Sequence, residues 1–600
     1  MVLSGPVAVC VDRPLLALDR PFTYDLPEEF NAGIGSLVQV PFHGKATRGW
    51  VLGATEDVPP RMLGVRKVVS EVRFLDPPML ELLRWVSERY VAPLATVIAR
   101  SHPPRVAGEE VAVVSGGVLA PLASPSPTPL RKDPAAFRGY AHGTELIAAL
   151  HGGSGSFVIR PAPEDEIAVA VASVATAIEG GRTAILLVPE ADPLPATAAA
   201  IRDTFGHSVG MFVGGDERER YRMWLDIKAN RYSVVVGTRP AVFAPVGNLG
   251  LVFVSRESHA QHREERSPRY HVRDVAIARA RMAGAACVMS ALLPSLEARV
   301  GRHVEVARTD RAWPPVEVVK PGPEGRAPRL VAALKTARRA FLFAPLPGYG
   351  VARVCRSCRE PAACAACGGL LRSREGGVRC AVCGAEGRCG ACGASDFGLA
   401  RGGAERVEEW AGALAAVPVR RIRRDERPRP PGEDEVIVGG VEVVKDFGTV
   451  NLDLVGILDA DLAARRPGLS ARERALASWM EAAAWARPSG RVIVQTDHPN
   501  DPAVQALVTG KPDRFARAEI PRLAEAGFPV GGSVFRVAGT DGLETELAQL
   551  SPITLLSTEL GGETVCLLAL DPGNVPTFGR AARSLAGRGI VTRVDAEPHL

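Results

Sequence analysis

The chain has 600 residues, of which 46% are hydrophobic and 23% are charged, a balance typical of folded globular domains. This length exceeds what a single hydrophobic core normally serves, so about three to five domains are expected. Uninterrupted apolar runs stay short of the roughly 18 residues that cross a bilayer, which predicts a soluble, cytoplasmic protein without a membrane partner. The formal net charge of +5 is small for this length, so any surface that binds nucleic acid must be local.

The first 105 residues predict a β-rich unit. Strand-like segments separated by glycines occur at residues 7–12, 22–27, 36–42 and 48–53. Residues 77–90 have the periodicity of an amphipathic helix, and its predicted inner face is Leu80, Leu83, Trp85 and Val86. We predict a small β-barrel or sandwich with an appended helix.

The next segments differ in character. Residues 106–140 contain the Pro/Ser-rich string VLAPLASPSPTPL and predict an extended linker. From residue 141 to about residue 310, helix-like stretches alternate with apolar strings such as TAILLV, SVVVG and LGLVFV. Such strings indicate a parallel sheet buried on both faces. Residues 516–600 combine strand-like strings with a helix near residues 575–586 and predict a small α+β domain.

Eight of the eleven cysteines fall between residues 355 and 392, as four CxxC pairs. Each pair lets two thiolates reach one metal from a tight turn, so eight thiolates predict two structural zinc ions. Closed four-thiolate sites leave no coordination position open for catalysis. Disulfides would need an oxidising compartment, whereas the string MVLSGPVAVCVDRP lacks a signal-peptide pattern.

Smaller features accompany these cysteines. Knuckle turns favour positive φ, which we expect at Gly368, Gly384, Gly390 and Gly393. Arginines outnumber acids in this stretch. This excess is consistent with binding of a polyanion, and equally with an ordinary solvent-exposed face. The remaining cysteines lie in apolar runs and are predicted to be buried: Cys10, Cys287 and Cys566.

Several strings resemble the primosomal protein N-prime (PriA) family of bacterial replication restart proteins. They are LDRPFTYDLPEEFNAGIGSLVQVPFHGKATRGWVLG at residues 18–53, then GRTAILLVPE, VVVGTRPAVFAP, NLGLVFV, SPRYHVRD and ALLPSLEA, and later LVGILDADL and RVIVQT. The resemblance covers nearly the whole chain except the linker near residues 120–135. It implies a multidomain α/β fold, with a β-rich 3′-DNA-end-binding domain and two RecA-like parallel-sheet lobes of helicase superfamily 2.

The resemblance also implies the domain boundaries. The DNA-end-binding domain takes residues 1–105, the first lobe residues 141–310, and the second lobe residues 311–354 and 398–515. A zinc-binding region at residues 355–397 is inserted in the second lobe, and residues 516–600 form the carboxy-terminal α+β domain. The winged helix that the family carries near residues 106–140 is expected to be reduced or absent, because this segment is short and rich in proline.

The resemblance assigns DNA-binding roles within the first unit. Its positions for the terminal 3′ nucleotide correspond to Phe22, Thr23, Gly44 and Arg66. Phe22 is expected to stack on the last base and Arg66 to contact phosphate, although Phe22 as plain core is an equally open interpretation. Thr23 replaces the acid of the family, which weakens the expectation that a free 3′-hydroxyl is read.

The resemblance further implies how the cysteines are paired. The outer knuckles would share zinc 1, held by Cys355, Cys358, Cys389 and Cys392. The inner knuckles would share zinc 2, held by Cys364, Cys367, Cys380 and Cys383. Sequential pairing of the knuckles stays open from the sequence alone.

The residues of ATP chemistry are missing at four distant places. RPAPEDE from Arg160 replaces the phosphate-binding loop and has neither Gly nor Lys, and Ser255–Arg256–Glu257–Ser258 replaces the Asp-Glu-Glu-His motif of the family. VKDFG from Val444 replaces Lys-Gly-His-Asp-Phe, and WMEAAAWA from Trp479 replaces the motif that supplies arginine fingers. We therefore expect no catalytic residues and no ATP hydrolysis, whereas binding of ATP without hydrolysis stays open from the sequence alone.

The sequence thus predicts a nucleoid-associated replication restart and primosome assembly protein. It would recognise stalled or collapsed forks and D-loops and help to reload the replicative helicase, without ATPase or helicase activity. The implied partners are forked or D-loop DNA, primosome proteins, the replicative helicase or its loader, and single-strand binding protein. Two alternatives are an active ATP-dependent 3′–5′ DNA helicase and a zinc-stabilised protein-interaction scaffold that binds DNA weakly.

Overall fold

The structure is a computed structural model that describes residues 2–110, 134–308, 313–322, 326–344, 352–358, 360, 362–374, 377–381, 383–399, 403–422, 429–440, 450–464, 468–550, 554–560 and 562–597. Most of the predicted linker, and with it the expectation of a reduced winged helix, lies outside these residues. The VKDFG string also lies outside the described residues.

The amino-terminal unit is a six-stranded sheet followed by two helices. Its elements are β1 (Gly5–Val11), β2 (Phe22–Leu26), β3 (Ser36–Phe42), β4 (Lys45–Ala54), β5 (Leu63–Gly64), β6 (Lys67–Arg73), α1 (Pro77–Arg89) and α2 (Leu94–Arg100). The strand order is β5-β2-β1-β4-β3-β6, antiparallel except for the short β2–β5 pair. Asp76 caps α1 by accepting the Met79 N–H at 2.8 Å. The predicted β-rich unit with an appended helix is confirmed.

The first lobe is an entirely parallel seven-stranded sheet with the order β13-β7-β12-β11-β8-β10-β9. Its strands are β7 (Gly155–Arg160), β8 (Thr183–Leu187), β9 (Val209–Phe212), β10 (Val234–Gly237), β11 (Leu249–Ser255), β12 (Ala286–Ser290) and β13 (Val304–Ala307). Its helices are α3 (Gly143–Gly152), α4 (Glu166–Glu179), α5 (Ala196–Phe205), α6 (Glu217–Lys228), α7 (Val272–Ala283) and α8 (Leu296–Val300). The central strands are buried along their length, as their unbroken apolar strings predict.

The second lobe is formed by two segments of the chain, and the zinc region lies between them. The strands are β14 (Val316–Val319), β15 (Arg339–Phe343), β16 (Ala352–Cys355), β17 (Leu371–Arg374), β18 (Gly377–Cys380), β19 (Phe397–Leu399), β20 (Val419–Arg421), β21 (Glu435–Gly439), β22 (Leu452–Ile457) and β23 (Ala486–Gln495). The helices are α9 (Pro328–Thr336), α10 (Ala404–Gly412), α11 (Ala460–Ala464), α12 (Ala471–Ala483), α13 (Pro502–Thr509) and α14 (Asp513–Glu525). The lobe sheet has the order β14-β23-β22-β15-β21-β20 and is parallel throughout. The zinc region is joined to the lobe where β16 pairs with β19.

The carboxy-terminal unit is a four-stranded antiparallel sheet with the order β25-β26-β24-β27. Its elements are β24 (Ser533–Gly539), α15 (Leu543–Ala548), β25 (Thr554–Leu560), β26 (Glu563–Leu570), α16 (Val575–Gly587) and β27 (Val591–Ala596). The boundary predicted between residues 515 and 516 falls inside α14, whose Phe515 and Leu523 pack in the core of the second lobe. The predicted fold class is otherwise confirmed, with a β-rich amino-terminal domain, two parallel-sheet lobes, a cysteine-rich insertion and a small α+β domain.

One hydrophobic core joins three of these units. It contains Trp50 of β4, Leu83 and Val86 of α1, Val275 of α7, and Phe578 of α16. Arg89, at the end of α1, donates to Ser533 at 2.8 Å, and Tyr90 donates to Asp274 at 3.0 Å. The amino-terminal unit, the first lobe and the carboxy-terminal unit therefore pack as one body.

Candidate metal centre, nucleotide cleft and DNA-binding face

The eight thiols of the zinc region form two groups of four. One group is Cys355, Cys358, Cys389 and Cys392, the other is Cys364, Cys367, Cys380 and Cys383, and within each group the sulfurs lie within 4.8 Å of one another. Sγ atoms are 3.6 Å apart for Cys355 and Cys392 and 3.5 Å apart for Cys367 and Cys380. Zinc–sulfur bonds of about 2.3 Å in a tetrahedron separate the sulfurs by about 3.8 Å, whereas a disulfide bond is about 2.05 Å. Each group therefore has the spacing of a four-thiolate metal site, and the outer and inner knuckles are grouped as the resemblance implies.

Local backbone geometry explains why each knuckle closes. Gly368, Gly384 and Gly393 have φ of 69°, 73° and 75°, and each donates its N–H to the carbonyl of the cysteine four residues earlier. A side chain would be strained there, so glycine is required. The prediction for Gly390 is wrong: its φ is not in the left-handed region, and its N–H donates to Ala363 at 3.1 Å. Gly390 directly follows Cys389, inside the knuckle and ahead of the position where the chain reverses.

Burial distinguishes the two cysteines of a knuckle. The first cysteine of each pair is buried, with Leu371 and Phe397 packed among them, whereas Cys367, Cys383 and Cys392 are exposed. The two groups touch through a β-bridge between Cys364 and Cys389. The metal sites thus form the core of a region that has few other buried side chains.

The loop that follows β7 stands where a phosphate-binding loop would be expected. Asp165 accepts from Tyr140 and from Arg308, each at 2.8 Å, and Tyr140 accepts the Ala162 N–H at 3.0 Å. Glu166 opens helix α4 directly after Asp165. Acidic side chains thus stand at the helix terminus whose dipole favours anions.

The end of β11 carries the altered acidic motif. Glu257 is fully buried and accepts from Arg273 at 2.9 Å and from the Ser295 hydroxyl at 2.7 Å. The Ser295 N–H also donates to Glu257, at 3.0 Å. The one acid that this motif retains is therefore held inside the first lobe by its own neighbours.

Arg256 crosses the cleft between the two lobes. Its Nε donates to Glu481 of α12 at 2.9 Å, and its Nη2 makes a second contact with the same carboxylate. The side chains are 9% and 16% exposed, so the ion pair is largely shielded from solvent. Arg256 stands in the altered acidic motif, and Glu481 in the string aligned with the arginine-finger motif. Arg256 thus places a positive charge where the resemblance implies an acid, and the string that holds Glu481 has alanines where the family motif has arginines.

A cavity that is partly open to solvent lies beside this ion pair. Among the residues that line it are Pro163, Glu166, Thr197, Arg256, Glu481 and Trp485. Two carboxylates, those of Glu166 and Glu481, thus line the space between the lobes.

Other contacts between the lobes surround the ion pair. Glu473 of α12 accepts the Leu296 N–H at 2.7 Å, and Arg160 donates to the Gly510 carbonyl at 3.3 Å. Leu293 and Leu296, from the first lobe, pack in the core of the second. Burial and the nearby carboxylate of Glu297 raise the pKa of Glu473 to about 8. The lobes are thus joined by apolar packing as well as by charge.

The predicted DNA-end residues lie on the amino-terminal sheet. The Phe22 ring is 5.0 Å from Phe42, which precedes the turn at His43 and Gly44, so Phe22 lies next to that turn. Arg66 immediately precedes β6, and its N–H donates to the Gln39 carbonyl of β3 at 2.8 Å. The Thr23 hydroxyl donates to the Asp57 carbonyl at 2.8 Å. Phe22, Gly44 and Arg66 thus lie around one end of β3, while the Thr23 hydroxyl is used within the protein.

Comparison with known proteins agrees with this architecture. Residues 8–103 match the family of 3′DNA-binding domains (3′BD). A probable replication restart protein PriA from Mycobacterium leprae is 30% identical over 573 residues, covering 89% of this chain and 87% of that protein. The chain belongs to the replication restart protein PriA family. Replication restart protein PriA from Treponema pallidum is 26% identical and covers 97% of this chain and 98% of its own.

Similarity to solved structures is much weaker. A structure of Saccharomyces cerevisiae Dbp5 bound to RNA and ADP BeF3 covers 62% of this chain and 85% of its own, at 10% identity and a TM-score of 0.36. A likeness at this level supports no argument about function. In the described part of the chain, no helix is long and apolar enough to cross a membrane.

A pocket of about 390 Å³ lies between the amino-terminal unit and α16 in this member of the PriA family. Cys10, Leu52 and Leu94 contribute to its wall. Five arginines also line it: Arg13, Arg20, Arg84, Arg580 and Arg583. Arg583 is paired with Asp19 at 2.6 Å. Sequence analysis did not find this pocket, because its residues come from both ends of the chain and no local pattern links them.

Proposed function

We propose that this PriA-family protein recognises stalled or collapsed forks and D-loops and helps to reload the replicative helicase without hydrolysing ATP. The observation that carries the proposal is the Arg256–Glu481 ion pair in the cleft between the lobes. Residues from two altered nucleotide motifs hold each other across the cleft, so in this proposal the lobes serve as a platform and not as a motor.

The electrostatics of the cleft support this proposal. A bound nucleotide would place several negative charges near Glu481 and Glu166, both of which line the cleft. Like charges that are weakly screened repel by several kcal/mol. The loss of single phosphate-stabilising groups typically lowers rates by about 10² to 10³, and of arginine fingers by about 10³ to 10⁵. Several such losses together leave no effective ATPase.

The amino-terminal unit and the zinc region supply the binding functions in this proposal. Phe22, Gly44 and Arg66 would receive the terminal nucleotide of a 3′ end, and the Arg66 guanidinium would contact its phosphate. The two cysteine groups would each hold one zinc ion, which stabilises the fold of residues 355–397. Zinc supplies no reaction chemistry here, because four thiolates close the coordination sphere.

The arginine-lined pocket supports the proposed protein partners. Its guanidinium groups suit a carboxylate, and its apolar wall suits a hydrophobic side chain next to that carboxylate. A partner chain end that combines an acidic residue with a hydrophobic one would have this chemistry. We expect Arg580→Glu to abolish binding of an acidic peptide while binding of forked DNA is retained, since Arg580 is exposed at the rim.

The decisive experiment measures ATP hydrolysis by zinc-replete protein with and without forked DNA, on a sample whose fork binding has been confirmed. We expect fork binding with no turnover above background. DNA-stimulated turnover would overturn the proposal in favour of an ATP-dependent 3′–5′ helicase. If fork binding is weak and depends little on salt, the chain is instead a zinc-stabilised interaction scaffold, since phosphate neutralisation makes DNA binding steeply salt-dependent.

A further inference from the structure

The carboxy-terminal sheet has a free edge at β25. This strand pairs with β26 on one side, and within the described residues no strand pairs with its other side. Its register with β26 is continuous from Thr554 to Leu560, without a bulge. Such an edge presents a row of backbone N–H and C=O groups to which a further strand can bind.

The other edges of the four larger sheets are protected. The edge strands β5, β9, β13, β14 and β20 have only two to four residues. β6 is longer, but it carries Lys67, Glu71 and Arg73, and its pairing with β3 contains a register shift. β27 also pairs with a register shift, and its Asp595 is paired with Arg269 of the first lobe at 3.1 Å. β25 has seven residues, none of which is Pro, Lys or Arg, so it lacks the usual protection of an edge.

This edge carries an exposed apolar side chain near its centre. Leu556 is 55% exposed and lies opposite Leu567 of β26, which is half-buried. The neighbours of Leu567 along β26, Cys566 and Leu568, lie on the other face, where they belong to the same core as Phe578 of α16. Leu556 and Leu567 therefore form an apolar strip on the face of the sheet that the helices leave open.

One end of the edge is acidic. Glu559 is the charged residue of β25 and accepts from the Thr564 hydroxyl at 2.8 Å. Burial, and then the carboxylates of Glu544 and Glu559, raise the pKa of the Cys566 thiol, so both carboxylates lie close to it. Glu544 and Glu559 are both exposed, and no residue that the structure describes forms an ion pair with either of them. This end of β25 therefore attracts a basic side chain.

The size of the edge favours an extended segment over a folded copy of the same chain. A strand of this length spans about 24 Å, so pairing with the edge of another folded copy buries only about 500 Å² in total. Stable contacts between folded proteins bury about 1,200 Å² or more. An extended segment can also lay its side chains over the strip of Leu556 and Leu567, and its main-chain hydrogen bonds supply affinity.

We propose that β25 binds an extended segment of a partner protein as an additional strand of the carboxy-terminal sheet. The segment has apolar side chains that contact the strip of Leu556 and Leu567, and a Lys or Arg that faces Glu559. Residues of β25 line neither the cleft between the lobes nor the arginine-lined pocket. The inference therefore does not depend on the proposed function.

The test uses the full-length, zinc-replete protein and a fluorescent peptide, Lys-Val-Thr-Val-Thr-Val-Lys, whose binding is followed by anisotropy. We expect binding, together with slower hydrogen exchange in residues 554–560. Leu556→Lys should weaken binding about tenfold, because it removes the apolar contact and adds a charge like that of the peptide ends. Methylation of alternate backbone nitrogens in the peptide removes the N–H donors of one edge and should abolish binding.

Charge reversal and matched variants complete the test. Glu559→Lys should weaken binding of this peptide about twofold to fivefold, and strengthen binding of a peptide with Glu at both ends by a similar factor. Val300→Lys and Glu179→Lys change exposed residues elsewhere and should leave both affinities unchanged. Absence of binding, binding that survives backbone methylation, or exchange protection confined to other segments would overturn the inference. Self-association of the wild type that Leu556→Lys abolishes would also overturn it, because the occupant would then be a second copy.

Discussion

At the scale of single residues, the contact between Arg256 and Glu481 joins two altered nucleotide motifs. Arg256 places a positive charge where the resemblance implies an acid, and Glu481 lies in the string that has alanines in place of the family's arginines. Either charge alone would be largely shielded from solvent and without this partner, which is costly. Together they form a shielded ion pair, so the two residues are best understood as a pair.

Charge reversal tests this pair directly. Arg256→Glu or Glu481→Arg should each destabilise the contact between the lobes by roughly 3 to 5 kcal/mol, because like charges then face each other with little solvent. The double variant should recover most of this loss. The measurement is hydrogen exchange of peptides covering residues 249–260 and 471–485, together with the midpoint of thermal unfolding.

The matched control is Arg202→Glu. Arg202 pairs with Asp203 at 2.8 Å, but these side chains are 50% and 65% exposed. Exposed pairs contribute about 0 to 1 kcal/mol, so this reversal should have little effect. If the double variant is no more stable than the singles, the two charges are not coupled and the interpretation of the cleft is wrong.

Glu473 gives the lobe contact a predicted pH dependence. Its pKa is raised to about 8 by burial, by Glu297 and by Glu257, against lowering by the Leu296 N–H and by Arg273. The unfolded chain has the ordinary value of 4.5, so unfolding releases a proton between these two pH values. Stability is therefore expected to fall by a few kcal/mol as pH rises from about 4.5 to about 8, and to level off above that.

Glu473→Gln removes this titration while retaining an acceptor for Leu296. The midpoint of thermal unfolding should then lose most of its decline between about pH 5 and about pH 8. At about pH 8 the variant should have a higher midpoint of thermal unfolding than the wild type, because a glutamine side chain neither ionises nor has to hold a proton. Parallel pH curves for the two proteins would show that Glu473 is not the responsible group.

The sequence patterns predicted which residues of the family are missing better than they predicted what the residues in their place do. The absence of Lys and Gly in RPAPEDE, and of acids in Ser255–Arg256, was readable directly from the chain. The contact between Arg256 and Glu481 could not be predicted in this way, because 225 residues separate the two and neither string indicates a partner. The arginine at position 256, where the resemblance implies an acid, was the one signal that could have suggested a carboxylate partner.

At the scale of elements, the cysteine knuckles are small modules that depend on their metal. Their buried side chains are mainly the cysteines themselves, with Leu371 and Phe397. Such a core is too small to fold on hydrophobic burial alone, so metal binding should provide much of its stability. The local sequence predicted these modules well because ligand spacing and turn glycines are short-range features.

Removing one knuckle tests whether the two metal sites are independent. Cys364→Ala with Cys367→Ala should reduce the zinc content from two ions to one, measured by native mass spectrometry. The reciprocal variant, Cys355→Ala with Cys358→Ala, should lose the other ion. Loss of both ions in either variant would mean that the Cys364–Cys389 bridge couples the sites, so that neither folds alone.

Element boundaries show where local sequence patterns predict the structure accurately and where they do not. The strings TAILLV and LGLVFV place β8 and β11 almost to the residue, because buried parallel strands are unbroken apolar runs. The division near residue 515 was less accurate, because α14 is an ordinary amphipathic helix that either neighbour could bury. Only the packing of Phe515 and Leu523 assigns it to the second lobe.

At the scale of the whole molecule, the units behave as parts of one platform. A continuous core joins the amino-terminal sheet, the first lobe and the carboxy-terminal sheet, and the second lobe is held by the cleft contacts. A motor of this architecture would need its lobes to separate and close with each nucleotide. Under the proposed function, side chains of the protein itself keep the lobes together, so the DNA-binding surfaces would keep one arrangement.

This arrangement predicts different responses to nucleotide and to DNA. A ligand at 100 times its dissociation constant stabilises the folded state by about 2.7 kcal/mol, which raises the melting temperature by a few degrees in a protein of this size. We expect no shift with millimolar Mg-ATP or with a non-hydrolysable analogue, because Glu166 and Glu481 line the cleft and would repel the phosphates. Forked DNA with a free 3′ end should raise the melting temperature, and the shift should shrink at high salt. A nucleotide-induced shift that Glu481→Arg abolishes would place nucleotide in the cleft after all, whereas a shift that survives in that variant would locate it elsewhere on the molecule.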